Sequence, residues 1–141
     1  MYEELIWTEE YSVGIEIIDN QHKEFFNLCN NLLELSEGKI KFTQAEAVLA
    51  INRLGDYAKY HLGTEEEYFE KYNVPHMEDH IKSHDHFRVK SAELISKVSN
   101  RNYDLKDTLK ESGLFAGNWL FEHILSMDKK YSLFFNEHGL K

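Results

Sequence analysis

His22, His61, Glu65, His80, His84, His123 and Asp128 stand at spacings that a bundle of helices would gather into one buried cluster. Imidazole and carboxylate donors together suit iron, manganese and other transition ions. Structural zinc takes four ligands and favours thiolate, while calcium and magnesium want oxygen. Five imidazoles and two carboxylates are too many for one ion, so the set points to two. Carboxylate-rich di-metal bundles rest on paired Glu-x-x-His motifs. The sequence contains no Glu-x-x-His. A site richer in histidine and poorer in negative charge is expected to support reversible redox chemistry.

The elements that must position these residues are helices. His61 and Glu65 are four apart, as are His80 and His84, so each pair projects from one helical face. Leu54, Ala58, Tyr68 and Tyr72 extend the His61/Glu65 stripe, which therefore points inward. His123 and Asp128 are five apart, which at ~100° per residue leaves them roughly 140° out of register on a regular helix. A helix end, bulge or kink near Ser126-Met127 is needed for both to reach one centre.

Four helices are expected. The first opens at Asp19, whose carboxylate can cap the free amides, and ends near Gly38. The second starts on the capping box Thr43-Gln44-Ala45-Glu46 and stops near Tyr72. Pro75 suits the first turn of the third, which reaches about Ser99 before the turn Asn100-Arg101-Asn102. The fourth occupies much of the chain from Asp104 onward, with Gly113 and Gly117 as places where it could divide. Short connections between amphipathic helices make the fold all-α, an antiparallel up-down-up-down four-helix bundle. Residues 1–18 alternate apolar and other residues around Gly14, so they are expected to form an extended N-terminal arm, anchored by Trp7, on a bundle of residues 19–141. At ~1.5 Å per residue, His22 and His61 lie about 24 and 27 Å from the same end of that bundle, and the other candidates share their layer within about two turns.

One His-x-x-x-His pair would be weak evidence of a metal site, but the whole set at matched depth is not. Burying five imidazoles and two carboxylates without compensation costs several kcal/mol, on the order expected for unpaired charges. His76, His86 and His138, with Glu66, Glu67, Asp85 and Glu122, fall off the inward faces and are expected in solvent or behind the ligands. Cys29, alone among Phe26, Leu32 and Leu33, reads as a small buried hydrophobe.

Composition removes other functions. The formal charge is −9, from 25 acids against 16 bases, which argues against a nucleic-acid partner. No apolar run approaches the ~18 residues that cross a bilayer, so no membrane association is expected. The start, Met1 to Trp7, has acids and no basic segment, unlike a signal peptide. With a single cysteine, a reducing, cytoplasmic setting is the default. A monomer is expected, with an oligomer left open.

The chain resembles the hemerythrins, above all the single-domain bacterial type, over essentially its whole length. The resemblance rests on Trp7 with Tyr11-Ser12-Val13-Gly14-Ile15, Ile18-Asp19-Asn20-Gln21-His22, His61-Leu62-Gly63-Thr64-Glu65-Glu66, His80-Ile81-Lys82-Ser83-His84 and the stretch from Trp119 to Asp128. A relative, myohemerythrin, is itself an example of the up-down-up-down bundle. The resemblance implies a non-haem centre of two iron ions with a bridging oxo or hydroxo group, binding dioxygen reversibly. It implies that His80, His84 and His123 hold one iron, His22 and His61 the other, and that Glu65 and Asp128 bridge them. By that ligand count, eleven of the twelve octahedral positions are filled and the open one belongs to the two-histidine iron. It further implies an oxygen pocket lined by Phe25, Leu62, Trp119, Leu120 and Ile124, with Leu62 standing where relatives often place Phe. Oxygen storage, transport or delivery is the expected function, and catalysis is not expected. The alternatives are a sensing module acting through a separate partner, or a di-iron oxidase, nitric-oxide or iron-handling protein.

Overall fold

In the computed structural model, residues 3–141 are described; Met1 and Tyr2, the first residues of the expected arm, lie outside them. Four long helices form the body: α1 (Glu16–Ser36), α2 (Gln44–Lys71), α3 (Glu78–Val98) and α4 (Leu105–His123). A π-helical turn, Ile124–Asp128, joins α4 to α5 (Lys129–Glu137). α1 packs against α2 and α4, and α3 closes the ring between those two. No strand occurs among the described residues, and none of their helices is long and apolar enough to cross a membrane.

Three helix ends follow their local chemistry. The Thr43 hydroxyl accepts from the Glu46 amide at 3.1 Å, and Glu46 accepts in return from the Thr43 amide at 3.3 Å, completing the capping box of α2. Asp104 caps α4 by accepting from the Asp107 amide at 2.9 Å. Gly38 follows α1 with φ +78°, the left-handed conformation that ends a helix at little cost only for glycine.

Three boundaries differ from expectation. α1 opens at Glu16 rather than Asp19. Asp19 is not its cap; its carboxylate instead accepts from the Ser12 hydroxyl at 2.6 Å and the Val13 amide at 2.9 Å, tying the preceding segment to the helix. That segment is not extended throughout, since Glu9–Tyr11 forms a 3-10 turn. Pro75 lies before α3, not in its first turn. His76 takes φ +59°, and this left-handed residue interrupts any helical path from Pro75.

α4 runs unbroken through Gly113 and Gly117. Both glycines serve close packing. A Cβ at Gly113 would sit 2.8 Å from Leu33 and 3.1 Å from the Cys29 carbonyl oxygen, so α1 and α4 approach closely because that atom is missing. At Gly117 the space is filled by Leu5, whose amide and carbonyl both bond the Asn30 side chain at 2.8 Å. Trp7 packs beside the core with the Lys23 ammonium 4.4 Å from its ring. The arm also reaches α5, where the Ser132 hydroxyl donates to the Val13 carbonyl and Asn136 donates to the Gly14 carbonyl at 3.1 Å.

Candidate metal centre

Each long helix sends polar side chains into an otherwise apolar interior. α1 contributes His22, α2 His61 and Glu65, α3 His80 and His84, and α4 His123; all are buried. Asp128 is also buried, at the end of the π-helical turn. There the Lys129 amide reaches back to the Ile124 carbonyl, an i→i+5 bond that widens the turn. One extra residue per turn turns a spacing of five, wrong for an α-helix, into a shared face for His123 and Asp128. The irregularity demanded by the sequence is therefore present. The His123 Nε2 lies 2.9 Å from Asp128 Oδ1.

Two overlapping donor groups result. Glu65, His80, His84, His123 and Asp128 offer ligand atoms within 4.8 Å of one another, and so do His22, His61, Glu65 and Asp128. The two carboxylates belong to both groups, whereas each imidazole belongs to one. Asp128 Oδ1 lies 2.9 Å from His80 Nε2, while its Oδ2 lies 3.2 Å from His22 Nε2. Glu65 Oε1 lies 3.0 Å from His61 Nε2 and 3.7 Å from His84 Nε2.

These atoms fit a metal better than they fit one another. His123 Nε2 is 2.9 Å from His80 Nε2 and 3.1 Å from His84 Nε2. Metal–imidazole bonds of about 2.1 Å at right angles place neighbouring nitrogens about 3.0 Å apart. The outer nitrogens explain which ring atom is free. His61 Nδ1 donates to the Gln21 carbonyl oxygen at 2.7 Å, and His84 Nδ1 donates to Glu66 at 2.7 Å. His123 Nδ1 meets the Ser83 hydroxyl at 2.9 Å. With the proton held on Nδ1, the Nε2 lone pair faces the cluster. His22 Nε2, His61 Nε2, Glu65 Oε1 and both Asp128 oxygens are buried without a hydrogen bond. Such groups are costly unless paired or coordinated.

Charge follows the same plan. Burial pushes His22 below its usual pKa and takes His84 down to about 3, so both are neutral donors. Burial also pushes Asp128 upward, but His123, His22 and His80 outweigh it and keep Asp128 well below the usual carboxylate range. For Glu65, burial and Asp128 push up while His61 and His84 pull further down, leaving an anion. His123 goes the other way: burial lowers it, and Asp128 more than restores it.

All seven sequence candidates thus meet at one place. Phe25, Leu62, Leu120 and Ile124 are fully buried, and Trp119 is partly buried with its ring stacked 4.3 Å from that of His123. The Phe25 ring is 6.2 Å from that of His61. His76, His86, Glu67 and Glu122 are exposed, and His138 bonds the Phe134 carbonyl at the chain's end. Gln21, Ser83 and Tyr131 were not legible as partners of the site. The Tyr131 hydroxyl donates to Glu65 Oε2 at 2.5 Å, and its ring stacks on His80. Tyr131 follows Asp128 by three, the helical spacing that could have drawn attention to it.

Known proteins resemble this chain in sequence and in fold. The family described as Hemerythrin HHE cation binding domain matches residues 13–132. The bacteriohemerythrin of Clostridium acetobutylicum is 29% identical over 127 residues, covering 89% of this chain and 97% of that protein. The bacteriohemerythrin of Pseudomonas aeruginosa is 33% identical over 127 residues, covering 90% of this chain and 78% of that protein. A crystal structure of wild-type hemerythrin superimposes with a TM-score of 0.82 at 23% identity, covering 93% and 97% of the two chains, and shows the same bundle fold.

Proposed function

Because the chain belongs to the hemerythrin family, we propose that it binds dioxygen reversibly at a non-haem centre of two iron ions, for oxygen storage, transport or delivery. The observation that carries this reading is the pair of overlapping donor groups sharing Glu65 and Asp128. His80, His84 and His123 would hold one ion and His22 and His61 the other, with the two carboxylates between them. Two iron ions bound there would supply the reversible redox chemistry that holds and releases dioxygen.

The protein's own contribution is position and exclusion. Two imidazoles on one side against three on the other leave the His22/His61 position with fewer protein donors, so a small exogenous ligand is assigned there. Phe25, Leu62, Leu120 and Ile124, all buried, are the apolar side chains we assign to the oxygen pocket, where they would keep bulk water from the centre. Trp119 braces the His123 ring from its face. None of these five pocket side chains offers an acid, base or nucleophile, which supports binding over turnover.

Optical spectra of the reduced protein before and after exposure to oxygen, with iron content measured on the same sample, test this. About two irons per chain and a charge-transfer band that disappears on deoxygenation are expected. Permanent oxidation with turnover of a co-substrate would replace the carrier reading with an enzymatic one.

A further inference from the structure

The outer nitrogens of the imidazoles are not treated alike. His22 Nδ1 has no hydrogen-bond partner. His61 Nδ1 meets an amide and His123 Nδ1 a hydroxyl, both uncharged. Among these and His84, only His84 meets a carboxylate, Glu66 Oε2 at 2.7 Å. That carboxylate is shared. Arg88 donates through its two terminal nitrogens to both Glu66 oxygens, each at 2.9 Å, in the fork geometry that guanidinium and carboxylate favour. One of those nitrogens also donates to Asp85 at 2.9 Å.

The placement is specific. Glu66 follows Glu65 on α2, and Arg88 stands four residues after His84 on α3, so the contact spans the two helices that bring those residues together. Arg88 and Glu66 are partly buried, with side chains 33% and 27% exposed. Their charges are therefore less screened than those of a surface pair.

We propose that Glu66 and Arg88 set the reduction potential of the metal position held by His84, with Glu66 strengthening electron donation through the imidazole and Arg88 restraining it. The inference rests on the metal-centre reading above. A carboxylate accepting the Nδ1 proton raises the basicity of a ligating imidazole, and a more basic ligand favours the more highly charged metal ion. Arg88 draws on the same oxygens and opposes that push. Both act through His84, so they are positioning residues and touch no substrate.

Opposed roles give opposed predictions. Glu66→Gln can still accept the His84 proton through its amide oxygen but carries no charge, so the midpoint potential of the iron-loaded protein rises. Arg88→Met keeps the apolar stem and frees the Glu66 charge, so the potential falls and autoxidation quickens. Each shift is expected to be about tenfold in the one-electron equilibrium, or about 59 mV. Arg88→Lys keeps the charge without the fork and falls between wild type and Arg88→Met. Glu67→Gln removes an equal charge from the exposed neighbouring position and leaves the potential unchanged. Cobalt(II) titration of the metal-free protein reads the contact without oxygen chemistry, and Glu66→Gln should weaken one of two binding steps by about 10- to 100-fold. Potentials that stay fixed, shifts of the same sign in Glu66→Gln and Arg88→Met, an equal shift in Glu67→Gln, or unchanged cobalt binding would each overturn the inference. A wild-type protein that takes up no pair of metal ions would instead overturn the metal-centre reading.

Discussion

Tyr131→Phe removes a single oxygen atom from the interior and isolates what that atom does. The Tyr131 hydroxyl donates to Glu65 Oε2 at 2.5 Å, and both residues are buried. Glu65 Oε1 has no hydrogen bond, so in the metal-free protein this phenol is the carboxylate's hydrogen-bond donor. The variant keeps the ring and its stacking on His80, with centroids 5.7 Å apart, so little packing is lost. Hydrogen bonds to charged groups contribute about 1.5–3 kcal/mol, which sets the expected loss near ~2 kcal/mol. For a domain of this size that lowers Tm by about 4–8 °C.

Urea unfolding of the metal-free protein at pH 7 measures the loss as a lower midpoint with an unchanged slope. The pH dependence has a definite sign. Glu65 titrates below its usual value in the fold, so its ionised form contributes stability above the unfolded pKa near ~4.3 and loses it as pH falls through the folded value. The phenol's contribution belongs to that ionised form. The difference between wild type and variant should hold steady from pH 7 to 5 and shrink below the folded pKa. A difference under about 0.5 kcal/mol at pH 7, or one that grows as acid is added, would refute the reasoning.

Sharing of carboxylates predicts a pattern of metal loss: His61→Ala should weaken one of two binding steps in a metal titration, whereas Glu65→Gln should weaken both, and a one-step effect of Glu65→Gln would contradict the overlap of the donor groups. Acid should destabilise the metal-free protein well before its carboxylates protonate, because burial holds His84 at about 3 and lowers His22, while the unfolded chain takes up protons below ~6.5. His84 alone accounts for about 2 kcal/mol between pH 6.5 and 5, offset slightly by His123, whose raised pKa lets the folded protein hold that proton before the unfolded chain does; a urea midpoint no lower at pH 5 than at pH 7 would count against this. Gly113→Ala adds a methyl where Leu33 and a backbone carbonyl already stand, so despite better helix propensity it should cost about 1–3 kcal/mol in thermal unfolding, and an equally stable variant would show that α1 can move aside.

The bundle was legible because its signals are local and repeated. The capping box at Thr43, the glycine after α1 and the four-residue spacing of His61/Glu65 and His80/His84 each act within one or two turns. The π-helical turn was legible for the opposite reason: a spacing of five between His123 and Asp128 fits no regular helix, and a helix can reconcile it by widening. Asp19 and Pro75 misled because each has two good uses. Asp19 could cap a helix, but the unpaired Val13 amide and the Ser12 hydroxyl claimed its carboxylate. Pro75 suits a first helical turn, yet left-handed His76 follows it. Gln21, Ser83 and Tyr131 stayed hidden because their roles depend on contacts between helices, with partners 40, 40 and 66 residues away.

Oxygen release from the iron-loaded protein tests the central claim most directly. The oxygenated protein is placed in an oxygen-free chamber, and the dioxygen it releases is measured against its iron content through repeated cycles. One dioxygen returned per pair of irons, with the spectrum recovered in each cycle, is the predicted result. Oxygen taken up but not returned, with the centre left oxidised, would contradict it.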